Sequence, residues 1–157
     1  MKLLIRESIS IDDMAIEAVA SAATSLSPLS EAGRYWDSPR QFHRWIAKWE
    51  GQVVAFTDYT QSPESTCEFW VNVCVHPQAQ RRGIGSALYT HLLNALLPLG
   101  PLALKASLAP ERPEAVRFLT ARGYRVESRI HWPNGQPNGQ VIFVKLFKSI
   151  REKEFPL

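Results

Sequence analysis

The sequence predicts a mixed α/β domain, on three observations. Seven short runs carry the β-branched and aromatic residues of strands, four stretches read as helices, and the two types are interspersed along the chain without an internal repeat. At 157 residues and 45% apolar content, the chain can bury one core without disulfides or a structural metal. A single domain over residues 1–157 is the expectation.

The elements follow in order. Residues 2–5 read as a first strand. Ser10 followed by Asp13 gives a capping-box-like start to a helix, with Ile11, Met14, Ala15, Ala18, Val19 and Ala22 on its inward face. Residues 25–40 hold Pro28, Gly33 and Pro39 around Tyr35 and Trp36, the pattern of a short helix flanked by loop. Trp45, Ala47 and Trp49 alternate with Arg44, Ile46 and Lys48, and Glu50-Gly51-Gln52 then turns the chain into Val53-Val54-Ala55-Phe56 as an antiparallel hairpin. A β run over 68–75 stops at His76-Pro77, because proline lacks the N–H that a ladder needs. Ile84, Leu88, Leu92, Ala95 and Leu96 keep helical spacing until Pro98 and Gly100. A short strand over 102–107 precedes a helix opened by Pro113, with Ala115, Phe118 and Leu119 inward and Gly123 as its stop. Strands over 124–130 and 141–147 are joined by the turn-rich residues 133–139.

Charge and composition exclude several classes of function. A net charge of +3 is a mild bias toward anionic partners, and Arg81-Arg82 stands isolated without the basic and aromatic interleaving of a nucleic-acid surface. The longest apolar stretch, 87–99, is interrupted by Tyr89, Thr90, His91 and Asn94 and is too short to cross a membrane. The first seven residues turn charged too soon for a signal peptide, so a cytoplasmic location is expected. Cys67 and Cys74 lie seven apart in a strand-like segment, which points them to opposite faces and argues against both a disulfide and a metal pair.

The most informative segment is Gln80-Arg81-Arg82-Gly83-Ile84-Gly85, set between a strand and a long helix. Backbone N–H groups there sit at the positive end of a helix dipole. Glycine at 83 and 85 lets the backbone approach a phosphate, and Arg81 and Arg82 add charge that pairs with phosphate oxygens. No Gly-Lys-Ser/Thr follows and no Gly-x-Gly-x-x-Gly is present, which sets aside nucleoside triphosphate and dinucleotide loops.

Val73-Cys74-Val75-His76-Pro77-Gln78-Ala79-Gln80-Arg81-Arg82-Gly83-Ile84-Gly85-Ser86-Ala87-Leu88 closely resembles motif A of the GNAT N-acetyltransferase superfamily, with its Gln/Arg-x-x-Gly-x-Gly/Ala core. Glu114-Ala115-Val116-Arg117-Phe118-Leu119-Thr120-Ala121-Arg122-Gly123-Tyr124 resembles motif B. The resemblance implies a GNAT-like α/β fold: a central mixed, mostly antiparallel sheet of about six to seven strands, flanked by about four helices. It implies acetyl-CoA or another acyl-CoA as cosubstrate, no metal, and transfer to the primary amine of a small molecule or to a protein amino group by direct attack in a ternary complex. Matched position by position, backbone groups of Val73 and Val75 would hold the pantetheine arm, and Gln80, Arg81, Arg82, Gly83, Ile84 and Gly85 the pyrophosphate. A further resemblance, to single lobes of tandem GNAT proteins, implies that a lone copy pairs as a homodimer. Neither nucleic acid nor membrane is an expected partner.

The departures fall on proton handling. Leu119 stands at the motif B tyrosine that often serves as general acid, Arg112 at the motif B asparagine, and Phe69 where some members carry a catalytic glutamate. Glu68, one residue earlier, is a catalytic candidate only if a β-bulge re-aims it. The catalytic residues are otherwise unidentified. Tyr124, Tyr89 and His76 read as packing or strand-end residues, Trp45, Trp49, Trp70 and Trp132 as core, and Arg112 and Lys105 as solvated charges. Two alternatives stand beside transfer: an acyl-CoA-binding module that has lost catalysis, and a nucleic-acid-binding domain using the basic turn.

Overall fold

The computed structural model describes residues 2–23, 43–108, 113–130 and 140–147. Among these are β1 (Leu3–Glu7), α1 (Asp13–Ala23), β2 (His43–Trp49), β3 (Gln52–Gln61), β4 (Glu68–Val75), α2 (Ile84–Leu96), β5 (Ala103–Leu108), α3 (Pro113–Ala121), β6 (Arg125–Ile130) and β7 (Gln140–Leu146). The hydrogen-bonded strand order is β1-β2-β3-β4-β5-β7-β6. β4 and β5 pair in parallel, whereas β1 with β2, β2 with β3, β5 with β7 and β6 with β7 are antiparallel. This is the mixed, mostly antiparallel sheet that the sequence predicts. Three α-helices are present among the described residues. The fourth expected helix, in 25–40, lies outside them, as do Arg112, Trp132 and the turn at 133–139.

The chain forms two compact units, Met1–Thr60 with Asn72–Pro98, and Gln61–Val71 with Leu99–Leu157. In the first unit, Glu50 (φ 51°) and Gly51 (φ 84°) supply the two left-handed residues of a tight hairpin turn between β2 and β3. One face of that hairpin packs Ile46 and Phe56 on Ile16, Val19 and Ala20 of α1, with Cys74 of β4 alongside. The other face packs Ala47 and Ala55 on Ile84 and Leu88 of α2, with Val73 and Val75 alongside. Alternation along β2, β3 and β4 thus divides their side chains between two helices.

Two readings are corrected here. α1 buries Ile16, Val19 and Ala20, not the Ile11-Met14 side, whose two residues are 81% and 85% exposed. Its entry is tied by the Asp13 N–H on Ser10 C=O, and the side chain that caps it is neither Ser10 nor Asp13 but Asp12, whose Oδ2 accepts the Ile9 N–H at 2.9 Å and whose two oxygens accept from Arg6 at 2.8 and 3.0 Å. An alanine-rich helix is apolar on most sides, so its spacing leaves the buried face undetermined. β3 also runs past Phe56 to Gln61, burying Thr57, Asp58, Tyr59 and Thr60.

In the second unit, β4 pairs with β5 from Glu68↔Ala103 to Trp70↔Lys105. β5 pairs along its whole length with β7, and β6 carries an irregularity between Val126 and Ser128 that sets Glu127 out of register. α3 ends as its sequence predicts: the Tyr124 N–H donates to Leu119 C=O at 3.1 Å and the Gly123 N–H to Thr120 C=O at 3.1 Å, a Schellman close with Leu119 and Tyr124 both buried. Cys67 belongs to the turn before β4 and not to the strand, so the alternation argument for the two cysteines does not apply.

Candidate functional site

The turn from β4 into α2 is built by local constraints. The His76 N–H donates to Val54 C=O at 2.8 Å, the last tie of β4 to β3, and Pro77 then opens a single 3-10 turn over Pro77–Ala79. His76 Nδ1 accepts the Gln78 N–H at 3.1 Å, the strand-end role its position before proline suggests. Gln80 Nε2 reaches back to Val75 C=O at 3.4 Å.

Arg81 (φ 64°) and Gly83 (φ 76°) are both left-handed, an arrangement of successive amides that forms a concave, anion-attracting nest. Glycine is required at 83 because a Cβ there is strained by the backbone angle alone, with open space around it. The first turn of α2 closes with the Ala87 N–H on Gly83 C=O at 3.0 Å, and Gly83 provides no side-chain cap. The amides of Ile84 and Gly85 precede that bond and have no helical carbonyl to meet. A thirteen-residue helix, anchored by buried Ile84, Leu88, Leu92 and Leu96, thus presents an uncapped positive end. Arg81 and Arg82 are exposed beside it, and the Arg82 guanidinium lies 5.4 Å over the Trp49 ring.

Gln80, Arg81, Arg82, Gly83, Ile84 and Gly85 therefore share one turn. Val73 and Val75 lie just before it, their half-buried side chains against the α2 cluster. Since the His76 N–H faces β3, alternation directs the backbone groups of Val73 and Val75 to the opposite edge of β4.

The motif positions that handle protons in relatives are apolar and packed: Phe69 and Leu119 are both buried. Glu68 is tied into a cluster in which Lys105 Nζ lies 3.1 Å from Glu68 Oε1 and 3.0 Å from Glu127 Oε1. Lys105 is thus not the solvated charge that the sequence suggests, since it is only 15% exposed. Burial pulls its ammonium down, but the hydrogen bonds to Glu127 and Glu68 outweigh burial and hold it above its ordinary value. Tyr89, Tyr124 and Trp45 are buried, and Trp49 and Trp70 are half-buried. Among the described residues no group of three or more His, Cys, Asp or Glu is gathered for a metal ion. No described helix is long and apolar enough to cross a membrane.

One residue escapes the sequence reading. Asp58, in the part of β3 beyond Phe56, is 2% exposed. Its Oδ2 accepts from Arg44 Nε at 2.9 Å, and its Oδ1 is buried with no hydrogen-bond partner among the described residues. Burial raises the Asp58 carboxyl above the usual carboxylate range, against the opposing pull of Arg44. The readable signal was an acidic residue inside the strand-like run Val53-Val54-Ala55-Phe56-Thr57-Asp58-Tyr59, where charge is rarely buried without a purpose.

Comparison with known proteins follows the same lines. The model of the Acetyltransferase (GNAT) family matches residues 14–124. An L-2,4-diaminobutyric acid acetyltransferase from Nocardia farcinica is 32% identical over 77 residues, covering 48% of this chain and 40% of that protein, so the match spans less than half the relative's length. The ribosomal-protein-S18-alanine N-acetyltransferase of Escherichia coli superposes with a TM-score of 0.77 at 18% identity, over 99% of this chain and 100% of that one. The yncA structure from Salmonella typhimurium, which holds its cofactor acetyl-CoA, superposes with a TM-score of 0.73 at 16% identity, over 95% and 96% of the two chains.

Proposed function

This chain belongs to the GNAT acetyltransferase family, and on that premise we propose that it transfers an acetyl group from acetyl-CoA to a primary amine by direct attack. The observation that carries the proposal is the uncapped, glycine-opened end of α2 with Arg81 and Arg82 beside it. Open amides, a nest and two guanidinium groups form a donor set suited to a pyrophosphate. In this reading the Gln80–Gly85 turn takes the pyrophosphate and the backbone edge at Val73 and Val75 takes the pantetheine arm. Acetyl-CoA supplies the activated thioester; the protein supplies position, an amide donor for the developing oxyanion, and a place for the amine's proton.

The acceptor is an amine of a small molecule or of a protein. The N-acetyltransferase names of the relatives support that class, the diaminobutyric acid enzyme for small amines and the ribosomal-protein enzyme for protein amino groups. The same reading takes residues 1–157 as one cytoplasmic domain that pairs as a homodimer and uses no metal.

Calorimetry with acetyl-CoA, longer acyl-CoAs and CoA tests the turn. Arg82→Ala is expected to weaken acetyl-CoA binding about tenfold, the loss of one charge-assisted contact. If none of the three binds, the proposal fails. Binding without transfer across an amine panel would instead identify a module that has lost catalysis.

A further inference from the structure

Resting on the acyl-transfer reading, we propose that Asp58 of β3 is the group that receives the acceptor amine's proton, the role left empty by Phe69 and Leu119. Asp58 is a charged group inside a strand, and only half of its carboxylate is satisfied: Oδ2 meets Arg44 Nε at 2.9 Å, while Oδ1 is buried and unpartnered among the described residues. The other buried aspartate among the described residues, Asp12, fills both oxygens with Arg6 and the Ile9 N–H.

Its position agrees with the chemistry. Asp58 lies directly across from Arg44, on the face of the hairpin that carries Ile46 and Phe56. The neighbouring Thr57 Oγ1 donates to Asn72 C=O at 2.8 Å, which brings this stretch of β3 alongside the middle of β4. Cys74 packs into the α1-side cluster, so Asn72, two residues earlier, shares the Asp58 face. Asn72 is exposed even though it lies in mid-strand, so this face is open there. The next residue, Val73, is where the proposed site holds the acyl arm. The groups that titrate or carry charge on this face are Arg44 from β2, Cys74 from β4, and Arg6 from β1, which lies opposite Ile46 and is itself paired with Asp12. α1 gives the cluster only Ile16, Val19 and Ala20, and the stacked His43 and Tyr59 lie on the other face.

The step balances without a further reactant. The acceptor enters as an ammonium and gives one proton to Asp58 Oδ1. The freed nitrogen lone pair forms the C–N bond at the thioester carbonyl. The C–S bond breaks, and the nitrogen's second excess proton leaves with the thiolate as CoA thiol. Asp58 then returns its proton to solvent. Burial raises the carboxyl above its ordinary value, and Arg44 opposes that rise and favours the ionised form.

The test compares two kinds of nucleophile. L-2,4-diaminobutyrate, 1,3-diaminopropane and an alanine-terminated peptide are protonated near neutral pH, whereas hydroxylamine is neutral and needs no base. For Asp58→Asn, transfer to the best ammonium acceptor should fall ~100-fold or more and the ascending limb of its pH profile should vanish. Transfer to hydroxylamine and acetyl-CoA affinity by calorimetry should stay within about threefold of wild type. Equal losses on both nucleophiles, or no loss on either, overturn the proposal, as does a wild-type protein that binds acetyl-CoA and acetylates hydroxylamine but no ammonium. Failure to bind acetyl-CoA strikes the acyl-transfer reading itself. If Asp58→Asn does not fold, Arg44→Lys retains the charge and gives up the Nε bond; the ascending limb should move to higher pH, and an unmoved limb overturns the assignment.

Discussion

Two arginine–aspartate pairs of the first compact unit, one at the entry to α1 and one inside the β2–β3 hairpin, use the same chemistry to opposite effect. Arg6 grips Asp12 with two nitrogens, and the Ile9 N–H adds a third bond, so the hydrogen bonds from Arg6, then that from Ile9, lower the Asp12 carboxyl to about 2. Arg44 reaches one oxygen of Asp58, the other has no hydrogen-bond partner among the described residues, and burial raises that carboxyl instead. Both aspartates are covered. The number of donors supplied to the buried oxygens decides whether a pair stabilises the fold or holds a reactive group in reserve.

Breaking the hairpin pair from one side has the largest expected effect. Arg44→Met leaves a buried carboxylate without its counter-charge and should lower unfolding stability in urea by on the order of 3 kcal/mol. Adding Asp58→Leu should recover most of that loss, since an apolar pair needs no partner. If the double variant is as unstable as the single one, Asp58 is not the strained member.

The α1 pair should behave as an ordinary cap. Asp12→Ala is expected to cost about 1–2 kcal/mol in the same unfolding measurement, combining a cap bond with a partly exposed ion pair.

Acid titration sharpens the contrast through its sign. The Asp12 carboxyl is lowered on folding, so its contribution is fully present above the unfolded value of 3.8 and disappears as pH falls toward about 2. The Asp58 carboxyl is raised, so its contribution is fully present below the unfolded value of 3.8 and is lost as pH rises from there through its folded value. Unfolding curves from about pH 2 to about pH 7 should therefore lose part of the acid-side decline in Asp12→Asn, while Asp58→Asn removes a slope of the opposite direction.

The smallest expected effect belongs to an arginine that lies over an aromatic ring. Arg82→Ala should lower stability by about 0.5–1 kcal/mol through its contact with Trp49, a change visible in melting temperature before acetyl-CoA is added. A larger drop would mean that Arg82 holds the turn as well as its ligand.

Much of this protein was legible before any coordinates. The strand over 68–75 appears at those bounds because Pro77 forbids its continuation, and the α2 stripe appears as Ile84, Leu88, Leu92 and Leu96 because one helix face meets the sheet. The left-handed turn between them was readable because glycine declares that backbone conformation locally.

Other features were illegible for physical reasons. The buried face of α1 escaped because alanine supplies little contrast between sides, and only the packing of Ile16, Val19 and Ala20 on Ile46 and Phe56 marks it. The Glu68–Lys105–Glu127 cluster joins residues of β4, β5 and β6, and Glu127 reaches it from an irregularity in register that no local pattern announces. The state of Asp58 is decided in the same way. Local residue types determine strands, turns and the glycine-opened loop before α2, because each depends on backbone angles and nearest neighbours. Whether a carboxylate finds all its donors depends on strands brought together from distant parts of the chain, and only the tertiary structure settles that.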